Sequence, residues 1–101
     1  PDLCAPSGFH ENDDTALLNT GTSAAAGVMG GVVAALRSHA LHAHLPQPDP
    51  GTLRALLREC ARPVPGQATP WDPRLGHGIV DVLAALRSID PTFKPPTSGD
   101  R

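Results

Sequence analysis

The sequence predicts an α/β fold in which a small-residue helix is pressed against a sheet. Three observations predict it. The run Ala24-Ala25-Ala26-Gly27-Val28-Met29-Gly30-Gly31 follows polar Gly21-Thr22-Ser23 and opens an apolar stretch of helical length. Gly27, Gly30 and Gly31 each cost about 1 kcal/mol against Ala inside a helix, so tertiary packing must hold it. Asp2 to Ala5, stopped by Pro6-Ser7-Gly8, reads as a short strand that such a helix can cover.

In chain order, His10-Glu11-Asn12-Asp13-Asp14 reads as a solvated loop, because it lacks the spacing and glycine of a calcium loop. Thr15 to Asn19 is read as extended and leads to the serine. The first helix is expected from about Ser23 to His39 or a little beyond. It is expected to be central and buried, with Gly27, Gly30, Gly31 and Ala34 on one side. His39, His42 and His44 read as a polar helix end facing the negative dipole terminus rather than as metal ligands, since no acidic partner is in register.

Pro46-Gln47-Pro48 is a linker, after which Asp49 reads as an N-cap with Pro50 in the first turn. Leu53, Leu56, Leu57 and Cys60 fall at i, i+3, i+4 and i+7, with Arg54, Arg58 and Glu59 facing away. Pro63 and Pro65 end this helix. Trp71, in the loop from Gln67 to Leu75, reads as a lid over the core. Gly76-His77-Gly78 is a turn, and Asp81 caps a third helix whose apolar stripe is Ile79, Val82, Leu83 and Leu86. Residues 1–90 read as one domain portion, and 91–101, rich in Pro, Thr and Ser, read as a disordered tail.

The chain has 101 residues, enough for one small domain with a modest core. A net charge of −2 and 3% aromatic residues argue against a nucleic-acid surface. The apolar run Ala24 to Leu36 reads as too short to span a bilayer, and no signal peptide is seen. With no initiator Met, Pro1 reads as a cut or excised start. Cys4 and Cys60 read as buried free thiols, with a bridge between them as the alternative.

The chemistry concentrates at Ser23. A serine opening a helix stands beside the free amides of the first turn and the positive end of the dipole, and Gly21 lets the backbone turn sharply before it. Those amides suit the oxyanion formed when a serine attacks a carbonyl. The plainer role for Thr22 or Ser23 is an N-cap.

Pro1-Asp2-Leu3-Cys4-Ala5-Pro6-Ser7-Gly8, then Asn19-Thr20-Gly21-Thr22-Ser23-Ala24-Ala25-Ala26, then Leu75-Gly76-His77-Gly78-Ile79-Val80-Asp81 together resemble the C-terminal part of a subtilase, a subtilisin-like serine peptidase. The three segments stand in the family's order over about residues 1 to 89. Gly27 and Val28 stand where the family often has Pro and then His. The resemblance implies a parallel sheet flanked by helices, incomplete on its own. It implies Ser23 as nucleophile, Thr22 as support on the oxyanion side, and Leu18, Asn19, Thr20 and Gly21 along the substrate cleft.

In this family the triad runs Asp, His, Ser, so the base and its orienting acid lie upstream of Ser23. Only His10 precedes it here, in a setting unlike the family's histidine motif. The resemblance therefore implies an endopeptidase acting on peptide or protein substrates, inactive as this chain alone. Its partner is the upstream part of the same peptidase, carrying Asp and His. It implies no cofactor or metal in this segment, structural calcium at most in the missing part, and a secreted or cell-surface setting. A catalytically silent binding scaffold is the alternative. The Gly-x-Ser-x-Gly elbow of α/β-hydrolases is one residue away, but Asp13 to Leu18 is a poor strand to precede it. A sedolisin-type peptidase would add a C-terminal acidic calcium loop that is not seen.

Overall fold

The computed structural model describes residues 1–8 and 21–95. The loop at His10 to Asp14, the extended approach Thr15 to Asn19 and the chain end 96–101 lie outside the described residues. Three helices follow one another: α1 (Thr22–His42), α2 (Pro50–Cys60) and α3 (Val82–Ile89).

The caps of α2 and α3 form as their sequences dictate. Asp49 Oδ1 accepts the Thr52 amide at 2.8 Å, with Pro50 in the first turn where a missing N–H costs nothing. Asp81 Oδ1 accepts the Ala84 amide at 3.0 Å. Leu53 and Leu57 of α2, Ala85 of α3, Val80 just before it, and Val32 and Leu36 of α1 form one buried cluster. Leu36 is fully enclosed. Leu83, placed on the apolar stripe by its spacing, is instead exposed, because α3 turns Ala85 inward.

The predicted parallel sheet is not there: among the described residues there is no strand, and extended pairing is reduced to isolated bridges. Cys4 pairs with Ile79 in parallel, and Arg62 pairs with Ile79 in antiparallel. Asp2 to Ala5 is therefore not a strand. The physical reason is length: Pro6 and Pro63 stop two of these segments, and the Gly76–Gly78 turn and α3 bracket the third.

The three segments nevertheless meet closely. The His77 amide donates to the Asp2 carbonyl at 2.8 Å, Cys4 N–H to Gly78 at 2.8 Å and Val80 N–H to Cys4 at 3.0 Å. On the other side Arg62 and Ile79 exchange bonds of 2.9 and 2.8 Å.

The helix α1 also departs from expectation. Its buried residues are Val32, Leu36 and Ala40, while Gly27, Gly30, Gly31 and Ala34 are exposed with open space above the three glycines. With no sheet beside it, the small-residue side faces outward. At 21 residues α1 runs as expected from Ser23 to a little beyond His39, and by length and composition it is long and apolar enough to cross a membrane. A core helix of a soluble protein meets the same test.

Candidate functional site

Ser23 stands at the second position of α1 and is exposed. The residue that sets it there is Gly21, the N-cap, at φ 94° and ψ 179°. That region of backbone space is open essentially to glycine alone. The Gly21 carbonyl accepts the Ala25 amide at 3.3 Å, so the amides of Thr22, Ser23 and Ala24 lie ahead of the first intrahelical bond. Gly21 is the N-cap, so neither Thr22 nor Ser23 holds that position, and among the described residues no side chain caps α1. The hydroxyl, the free amides and the positive dipole end share one place. Of the predicted cleft residues, Gly21 is described; Leu18, Asn19 and Thr20 lie outside the described residues.

Beside this turn runs an open groove of about 630 Å³. Leu3 and Ala5 of the N-terminal segment form one wall, Gly21, Thr22 and Met29 of α1 another, and Arg74 stands at its margin. The helical repeat places Ser23 on the same face as Gly27, Gly31, Ala34, Ser38 and Leu41, opposite Val32, Leu36 and Ala40. All six of these face residues are exposed, Leu41 by 71%.

A histidine–carboxylate pair exists, but far from the serine. His39 Nε2 lies 3.0 Å from Asp90 Oδ2, and Phe93 meets the imidazole edge-on at 5.2 Å. Sixteen residues of α1 separate His39 from Ser23, about 24 Å at the helical rise. This pair cannot take the Ser23 proton. Sequence spacing missed it because Asp90 comes from the end of α3, 51 positions away. Among the described residues no three His, Cys, Asp or Glu side chains converge on a metal site.

The remaining polar groups hold the framework of the site. Asp72 is buried, and its carboxylate accepts the Ala68, Arg74 and Leu75 amides at 2.9, 2.8 and 3.2 Å. These bonds, the Ala68 amide foremost, keep its pKa below the usual carboxylate value. Asp2 is held low by hydrogen bonds from Arg54 and then Arg58.

Arg58 therefore does not face away from the protein as its spacing suggested: its Nη2 is 3.0 Å from Asp2 Oδ1. Trp71 is no lid; it is 46% exposed and donates its indole N–H to the Pro1 carbonyl at 2.9 Å. Cys4 and Cys60 are both free and only partly buried. The Cys4 thiol donates to the Leu75 carbonyl at 3.1 Å, and burial raises the Cys60 pKa, helped by the Asp81 and Glu59 carboxylates. A raised pKa leaves the Cys60 thiol a poorer nucleophile. Compared with known proteins, the chain matches no family model, no curated protein and no solved structure.

Proposed function

We propose that this chain is the nucleophile-bearing part of a subtilisin-like serine endopeptidase, in which Ser23 forms the acyl-enzyme. The reading rests on the motif resemblance. The observation that carries it is the exposed, uncapping Ser23 in the first turn of α1, set behind a backbone conformation that only glycine adopts readily. In the reaction the Ser23 oxygen adds to the peptide carbonyl and its proton passes to a histidine. The oxyanion lies at the first-turn amides, with Thr22 in support. The amine leaves with that proton, and water then releases the acyl group and restores the hydroxyl.

The histidine and its aspartate come from the upstream part of the same peptidase. Ser23 shares its face of α1 with the exposed small residues, so a partner covering Gly27, Gly31 and Ala34 also arrives at the hydroxyl. Without that part the chain is inactive. Peptide or protein is the substrate.

The test is a fluorophosphonate probe applied to the chain together with its upstream part. Labelling at Ser23 that disappears in Ser23→Ala is the expected result. Labelling that survives the substitution removes Ser23 from the mechanism. Absence of labelling in the assembled protein favours the silent scaffold.

A further inference from the structure

Among the described residues, the hydrogen bonds of Pro1, Asp2 and Cys4 all go to one slot, built by α2 and residues 71–80. At one end the Trp71 indole donates to the Pro1 carbonyl. Beside it Arg54 donates Nε and Nη2 to Asp2 Oδ2 at 3.1 and 2.8 Å, and Arg58 Nη2 donates to Oδ1 at 3.0 Å. The His77 and Val80 amides then donate to the carbonyls of Asp2 and Cys4, and the Gly78 carbonyl accepts the Cys4 amide. The Cys4 thiol reaches the Leu75 carbonyl at 3.1 Å.

The slot takes its shape from bonds in which the N-terminal segment has no part. The Asp72 carboxylate gathers the Ala68, Arg74 and Leu75 amides, and Asp72 and Gly76 exchange backbone bonds of 2.9 and 2.8 Å. Ile79 is paired from its other side by Arg62. Arg54 and Arg58 stand one turn apart on α2, whose start Asp49 caps. Gly76 leaves a hollow that a Cβ would fill, and the carbonyls of Pro1 and Asp2 lie in it. Walls fixed by their own bonds, a backbone edge and a charged anchor are what a preorganised peptide site offers.

We infer that this slot is a binding site for an extended acidic peptide, and that Pro1 to Ala5 is its resident ligand, exchangeable once the chain is cut between residues 9 and 20. The ligand's chemistry follows from the slot. A carboxylate meets the two guanidinium groups. Two residues on, a free amide meets the Gly78 carbonyl, which excludes proline there. That same residue carries a small donor side chain for the Leu75 carbonyl. A free anion meets the arginines alone. The slot thus holds a nicked chain together across the nick. The inference goes beyond the peptidase reading and holds whether or not Ser23 is reactive.

The test uses the full chain with a site-specific protease sequence inserted between Glu11 and Asn12. The chain is cut in urea and returned to buffer, and gel filtration should recover both pieces together. A dye-labelled peptide spanning Pro1 to Gly8, added in excess, should replace the resident piece in the recovered complex. Two altered peptides read the recognition. Asp2→Asn removes the charge and N-methylation of Cys4 removes the donor to Gly78, and each should compete more weakly by about tenfold or more. Pieces that separate on return to buffer overturn the inference. So does equal competition by the altered peptides. A peptide that binds while the resident piece stays in place occupies a different surface, and that too overturns it. Fluorophosphonate labelling plays no part in this readout, so the two readings fail separately.

Discussion

Gly76 lies against the carbonyl of Asp2 so closely that a Cβ on residue 76 would overlap it, and its neighbour Gly78 stands in the same relation to the carbonyl of Arg62. Both glycines also have positive φ, 61° and 118°. The obstructing atoms are backbone, which cannot swing aside as a side chain can. These two contacts clamp the 76–80 segment between the N-terminal segment and the residues that follow α2.

Substituting either glycine should accordingly be costly. Gly76→Ala and Gly78→Ala each combine an overlap with a strained backbone, at about 1–3 kcal/mol for each effect. Urea unfolding should show a lower midpoint for both. Gly66→Ala is the comparison: its φ is 88° but nothing lies within reach of a Cβ, so it meets strain without overlap and should lose less. Equal losses at all three positions would refute the clamp.

The clamp also marks how much of the molecule was legible in the sequence. The caps at Asp49 and Asp81 were, because capping is settled within three residues. The turn at Gly76 to Gly78 was legible as a turn, but its tight approach to Asp2 and Arg62 was not, since those partners are distant in sequence. The same limit hid His39–Asp90 and Arg58–Asp2. The sheet was over-read: the cost of three glycines in α1 led to a packed neighbour being expected, but in the described residues that face is open. At the site, the position of Ser23 behind Gly21 was legible because a Gly-Thr-Ser turn acts locally. A base for it was not found in sequence, and His39 is too distant to serve.

Acid should loosen the framework before it unfolds the helices. Asp72, Asp2, Asp49 and Asp90 all titrate below the usual carboxylate value in the folded chain. Their causes are, respectively, backbone amides led by Ala68, the guanidinium of Arg54, the Thr52 amide, and the Thr92 hydroxyl followed by His39. A depressed folded pKa contributes stability that is full above the unfolded carboxylate value of about 4 and is lost as pH falls through the folded value. The thermal midpoint should thus be flat on the neutral side and fall below about pH 4. Asp72→Asn should lower the midpoint at pH 7 and flatten its decline in acid. A midpoint in that variant that matches the parent at pH 7 would show that the Asp72 carboxylate does not hold the 68–76 loop.

The backbone at Gly21 should matter more for reactivity than for stability. Among the described residues a Cβ there meets no neighbour, so Gly21→Ala must chiefly hold a conformation costing about 1–3 kcal/mol, or shift the first turn. The expected outcome in the assembled protein is a tenfold or greater fall in the rate of fluorophosphonate labelling, with the unfolding midpoint lowered only modestly. Thr22→Val, which retains the turn, should fall less. Unchanged labelling in Gly21→Ala would mean that the position of Ser23 does not depend on this turn.

The open face of α1 makes a prediction of opposite sign in the free chain and in the assembled protein. Among the described residues nothing lies above Gly27, Gly30 or Gly31. Gly31→Ala in the free chain should stabilise α1 by up to about 1 kcal/mol through helix propensity alone, and Gly31→Leu should be tolerated as well. If the upstream part of the peptidase covers this face, a leucine at the same position separates two close backbones, at about 1–3 kcal/mol. Gly31→Leu should then weaken co-purification and probe labelling together while leaving the free chain at least as stable. Glu59→Ala, exposed on α2, should change neither. The comparison needs two measurements on each variant, urea unfolding of the chain and recovery of the complex. A Gly31→Leu chain that associates and labels as well as the parent shows that the partner binds elsewhere. A free chain destabilised by Gly31→Ala shows that this face is already covered in the chain itself.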